Sequence, residues 1–143
     1  MRNILDRKRA AAVVIAALTA GCFQWSNSLT PIQPEHGAML SETMPTLSWE
    51  PLDEKADEVL YDLAIFNMAG AVVYQADRLD QTSHRVTKPL PSGRYRWTVR
   101  ALSRRGTEWT STEWSARRDL LFVGLYAQWG SGAYIFDIAP DAQ

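Results

Sequence analysis

From Arg94 to Ser103 the chain alternates without a break, with Tyr95, Trp97, Val99 and Ala101 on one side and Arg94, Arg96, Thr98 and Arg100 on the other. A period of two sends successive side chains to opposite faces of a strand, so this stretch predicts a strand with one buried face. Tyr61, Leu63 and Ile65 alternate with Asp62 and Ala64 in the same way. Further short β-prone runs lie at 38–40, 46–50, 59–66, 71–76, 84–88 and 113–123, separated by Gly-, Pro- and Asp-containing turns at 51–53, 68–70, 89–93 and 104–106. No apolar period of 3.6 persists long enough to compete. The pattern predicts an all-β antiparallel sandwich of a single domain.

The first residues follow a different pattern. A basic start (Arg2, Arg7, Lys8, Arg9) leads into an apolar run from Ala10 to Leu18 and then Thr19-Ala20-Gly21-Cys22, the three-part layout of a secretory signal. The run is well short of the roughly 20 apolar residues needed to span a bilayer. Leu18-Thr19-Ala20-Gly21-Cys22 resembles the lipobox of bacterial lipoproteins, with Thr19 where that family most often has leucine. The resemblance implies cleavage of residues 1–21 and attachment of diacylglycerol and an N-acyl chain to Cys22. It also accounts for the lone cysteine of the chain, which has no partner for an internal disulfide. Each buried methylene contributes about 0.8 kcal/mol and two chains suffice for stable anchoring. Phe23 stands where many lipoproteins retained in the inner membrane have aspartate, which points to the outer membrane of a Gram-negative cell.

Residues 22–35 are rich in Ser, Asn, Gln, Thr and Pro and read as a flexible tether from the lipidated cysteine. The domain follows over 36–123, and 124–143 form a hydrophobic C-terminal extension. In that extension two apolar runs flank Gly130-Ser-Gly132. They predict either an extra hairpin over the sandwich or an exposed edge that accepts another chain.

Within the domain, Pro45-Thr-Leu-Ser-Trp49-Glu-Pro51, Tyr61 and Leu90-Pro-Ser-Gly-Arg-Tyr95-Arg-Trp-Thr-Val-Arg-Ala101 resemble the fibronectin type III family, as does Glu113-Trp114-Ser115 with Phe122 following. The resemblance implies a fibronectin type III-like sandwich with Trp49 and Trp97 in its core. It further implies a tyrosine corner in which the Tyr95 phenol bonds upstream backbone while its ring packs inside. The leucine-to-tyrosine spacing is one residue tighter than that family usually shows.

Charge changes the picture in one respect. The 143-residue chain has a formal net charge of -1, but four of its basic groups lie before Cys22, so the remainder is more acidic. Such a chain lacks the basic footprint of a nucleic-acid binder. Along the sequence the charge is segregated: Glu50, Asp53, Glu54, Asp57, Glu58 and Asp62 crowd one region, and Arg94, Arg96, Arg100, Arg104, Arg105, Arg117 and Arg118 another. This predicts two solvated surfaces of opposite sign, or electrostatic steering towards a partner.

Six tryptophans in so short a chain suggest sites beyond the core. Arg96 and Arg100 beside Trp109 and Trp114 are candidates for a cation–π ladder, at about 0.5–1 kcal/mol per exposed contact. Trp129, Tyr134 and Phe136 are candidates for a protein interface. His36 and His84 stand apart, and no metal-binding, nucleophile-elbow or phosphate-loop motif is present. The sequence therefore predicts no enzyme, no metal and no cofactor apart from the lipid on Cys22. The expected role is an outer-membrane-anchored docking subunit of an envelope assembly for secretion, export or a surface structure. Its partners are the membrane, through the anchor, and another envelope protein, with a carbohydrate or peptidoglycan binder as the alternative.

Overall fold

The computed structural model describes residues 28–116 and 133–143. Among them the chain is all-β, with strands β1 (Pro31–Gln33), β2 (Ala38–Leu40), β3 (Thr46–Trp49), β4 (Glu58–Asn67), β5 (Val72–Leu79), β6 (Ser83–Arg85), β7 (Gly93–Arg105), β8 (Glu108–Ser111) and β9 (Tyr134–Ile138). They form a three-stranded sheet in the order β1-β3-β6 and a larger one in the order β2-β9-β7-β4-β5, with β8 also paired to β7. All pairings are antiparallel except β2 with β9.

The alternation seen in sequence explains the core. Tyr61, Leu63 and Ile65 of β4 and Tyr95, Trp97, Val99 and Ala101 of β7 are buried. Leu47 and Trp49 of β3 and Val86 just beyond β6 belong to the same apolar cluster. Trp49 meets Tyr61 edge to face across the two sheets, with ring centroids 5.6 Å apart. Burying a large apolar side chain contributes about 1.5–3 kcal/mol, so this sandwich-like interior is the main source of stability. The β4–β7 ladder, unbroken from Glu58↔Arg104 to Asn67↔Tyr95, is its spine.

The turn before β7 is held as the resemblance predicts. Tyr95 Oη donates a 2.6 Å hydrogen bond to the carbonyl oxygen of Pro91, and Leu90 is buried beside the core. At the other end of β7, Gly106 has a φ of 60°. The left-handed conformation is open to glycine at little cost, and it lets β8 fold straight back on β7.

Four predicted boundaries need correction. The tether was expected to reach residue 35, but Pro31–Gln33 pair with β3 as β1 and Leu29 is buried; the prolines limit that pairing to a short edge strand without abolishing it. The run at 71–76 continues to Leu79, because Asp62 Oδ1 accepts the Arg78 amide at 3.0 Å and steadies a bulge where Arg78 has a φ of 53°. The run at 84–88 is strand only through Arg85. Of the run at 113–123 only 113–116 are described, and they are not strand; the strand lies earlier, at Glu108–Ser111, and residues 112–116 follow β7 through the Thr112 and Ser115 amides, which donate to the Ala101 and Val99 carbonyls.

The largest departure is at the C-terminal end. Tyr134–Ile138 are not an exposed edge: β9 lies inside the larger sheet, between β2 and β7, and the other arm of the expected hairpin, 125–129, lies outside the described residues. Tyr134, Phe136 and Ile138 alternate with Ile135 and Asp137, and the first half of β7, which β8 leaves unpaired, provides the partner strand. Ser115 sits across Val99 and Tyr134 across Trp97. One strand position beside β7 is thus filled by two separate pieces of chain.

Candidate functional site

The side of the larger sheet that faces away from the core carries the side chains left over for function. Cross-strand pairing arranges them in rows. One row runs Val72, Phe66, Arg96, Ile135 across β5, β4, β7 and β9. Farther along β7 come Asp62 opposite Arg100, and then Glu58 opposite Arg104 and Arg104 opposite Trp109.

This register pairs the two charged regions. Arg100 binds Asp62 Oδ2 through Nε at 3.0 Å and Nη2 at 2.9 Å. Arg104 Nε binds Glu58 Oε2 at 3.1 Å, and Arg105 Nη2 binds Glu54 Oε1 at 2.5 Å. Asp57 Oδ2 accepts the Gly106 amide at 2.7 Å. The expectation of two surfaces of opposite sign is therefore corrected. Antiparallel pairing lays the start of β4 and its preceding loop against the end of β7, so acid meets base there, while Arg117 and Arg118 lie outside the described residues.

Asp62 joins these contacts. The residue is 4% exposed, and its carboxylate receives both the Arg100 guanidinium and the Arg78 amide. A buried carboxylate needs such a set of donors to offset its desolvation.

The cation–π ladder exists with one member changed. Arg100 lies 4.6 Å from the Trp114 ring centroid, and Arg104, not Arg96, lies 5.9 Å from that of Trp109. Arg96 stands in the apolar row instead, because beside it the neighbouring strand is β9 and not β8. Trp109 and Trp114 remain 42% and 39% exposed.

The proposed interface triad is also corrected. Phe136 is 0% exposed and stacks on Tyr95, and Tyr134 packs on Trp97 at 6.2 Å between centroids. Neither residue is free to receive a partner in the way an exposed hairpin would be. Trp129 and Cys22 lie outside the described residues.

Comparison with family models, characterised proteins and solved structures returns no match. The surface itself must supply the functional reading. Among the described residues no group of three or more His, Cys, Asp or Glu side chains is placed to hold a metal ion. A shallow hollow between β2, β9 and the start of β7 is lined by Met39, Ser92, Gly93, Arg94, Asp137 and Pro140. Its charged lining is self-paired, Arg94 gripping Asp137 at 2.8 and 3.1 Å. Hydrogen bonding to Arg94 holds the Asp137 carboxyl below its ordinary range.

His84 lies at the seam of the two sheets. Its Nε2 is 2.7 Å from Tyr74 Oη, which also accepts the Thr87 amide at 3.3 Å. Burial pushes the imidazole below its usual pKa. Thr87 Oγ1 lies 3.2 Å from the same phenol, and the group ties β5 to the smaller sheet.

The pairing of Asp62 with Arg100, the place of Arg104 on Trp109 and the apolar row escaped the sequence reading, because each becomes visible only once strand register is known. The signal available in sequence was the alternation of β4 and β7 on their polar faces.

Proposed function

We propose that this chain is an envelope lipoprotein, anchored through lipid on Cys22, whose fibronectin type III-like domain is a non-catalytic docking subunit of a larger assembly. The observation that carries the docking reading is the outer face of the larger sheet, where Met68 and Val72 are 51% and 53% exposed at one end and Trp109 and Trp114 stand out farther along β7. Exposed apolar and aromatic side chains grouped on one face mark interaction surfaces. The anchor rests on the lipobox-like sequence before Cys22, and the outer membrane on Phe23. For the fibronectin type III-like identity, support comes from the Tyr95–Pro91 bond and from strand order. Immunoglobulin-like sandwiches oppose A, B and E to C, F and G; β1, β3 and β6 against β4, β7 and β9 follow that scheme.

Mass spectrometry of native material should find residue 22 as an acylated N-terminus, and crosslinking of intact envelopes followed by purification should return one stoichiometric protein partner. An unmodified Cys22 would end the anchor reading. A monomer without a crosslinked partner would end the docking reading. Exposure of Trp109 and Trp114 favours a second reading, a carbohydrate or peptidoglycan binder. Quenching of tryptophan fluorescence by peptidoglycan fragments, abolished in a Trp109→Ala, Trp114→Ala double variant, would establish it instead.

A further inference from the structure

β7 carries five arginines, and four of them have a carboxylate: Arg94 has Asp137, Arg100 has Asp62, Arg104 has Glu58 and Arg105 has Glu54. Arg96 has none among the described residues. Its Nε is buried without a hydrogen-bond partner. Its Nη2 reaches only the Met68 carbonyl, at 3.5 Å, the outer limit for a hydrogen bond.

The surroundings of this guanidinium are apolar. Phe66 and Ile135 flank Arg96 directly across the strands, Val72 follows Phe66 in the same row, and Met68 lies beside them. An arginine with unfilled donors between half-buried Phe66 and Ile135, with exposed Val72 and Met68 beside them, has the composition of an interface hot spot. Its fork of N–H groups matches a carboxylate in two-point geometry, and such a pair strengthens as the surrounding apolar side chains exclude water.

We propose that the Val72–Phe66–Arg96–Ile135 row is a docking surface for an apolar segment of another envelope protein carrying one carboxylate side chain placed on Arg96. The inference rests on the docking reading above and names its surface and the chemistry of its partner. Charge complementarity selects this occupant. A polyanion or an anionic bilayer calls for a cluster of cations, whereas here the neighbouring arginines are already neutralised and a single guanidinium is left open.

The test uses the full chain in detergent and immobilised nine-residue peptides of Leu, Val and Ser with a central Asp, each matched to a copy with Asn in its place. The native protein should bind the Asp set at least ten-fold more tightly than the Asn set. Arg96→Gln should reduce that preference to within two-fold, Arg96→Lys should keep part of it, and Val72→Glu should weaken binding to both sets, with near-UV circular dichroism unchanged in each variant. Equal binding of Asp and Asn peptides, absence of binding, or an undiminished preference in Arg96→Gln would overturn the proposal. So would three findings that assign the surface to another occupant. These are Arg96-dependent binding to phosphatidylglycerol vesicles without peptide preference, an Arg96-dependent dimer in sedimentation, and peptide binding that arises only when residues 117–132 are replaced by a Gly-Ser linker. If the crosslinked envelope partner is retained by Arg96→Gln and Val72→Glu alike, the docking function stands and only this surface falls.

Discussion

Phe136 stacks on Tyr95, ring centroids 5.6 Å apart and planes 28° from parallel, so a residue close to the C-terminus completes the interior of the domain. Replacing Phe136 by Ala should cost about 3–5 kcal/mol, the range for a large aromatic removed from a packed core. That is a large share of the roughly 5–15 kcal/mol that holds a domain folded. Trp109→Ala, at an exposed ring, should cost about 1 kcal/mol or less. Urea denaturation of the two variants checks the contrast, and similar midpoints would contradict the placement of β9.

Tyr95→Phe removes the donor to Pro91 and leaves that carbonyl without its partner. The expected loss is about 1–2 kcal/mol, read as a lower urea midpoint with unchanged slope. Burial raises the Tyr95 phenol above its ordinary pKa of 10.0. The unfolded chain therefore loses this proton first, and stability falls as pH rises past 10. Tyr95→Phe should flatten that alkaline limb.

His84 gives the opposite limb. Its pKa in the fold is lowered from 6.5 by burial, so below about that pH the unfolded state binds the proton more readily than the native one. Stability contributed by His84 is full above 6.5 and is lost as pH falls from there through the native value. Midpoints measured between pH 8 and 5 should decline for the native protein and decline less for His84→Gln.

Asp62→Ala strands the Arg100 guanidinium and the Arg78 amide together. The Arg100 side chain is 34% exposed, so water relieves part of the penalty, and about 2–3 kcal/mol is expected, short of the full cost of breaking a buried pair. Because the bulge at Arg78 leans on the same carboxylate, amide exchange should accelerate at the end of β5 more than in β7. Uniform acceleration would show that Asp62 acts only through global stability.

The legible parts of this fold were those governed by local alternation. β4 and β7 announce themselves because Tyr61, Leu63 and Ile65, and Tyr95, Trp97 and Val99, repeat every second residue, and the Tyr95 corner is set by residues four apart. What stayed hidden depends on pairing between distant segments. Phe136 reads as an exposed apolar residue until β7 is known to have half an edge free. Arg96 reads as equivalent to Arg100 until register gives one Phe66 and Ile135 as neighbours and the other Asp62. Two charged regions well apart in sequence read as separate surfaces until an antiparallel ladder superposes them.

Because the pieces ending at Ser115 and beginning at Tyr134 are each bonded to β7 on their own, loosening one leaves the register of the other unchanged. That side of the larger sheet thus works as two latches on one strand, Ser115 gripping Val99 and β9 gripping Tyr95 and Trp97, and either can open alone.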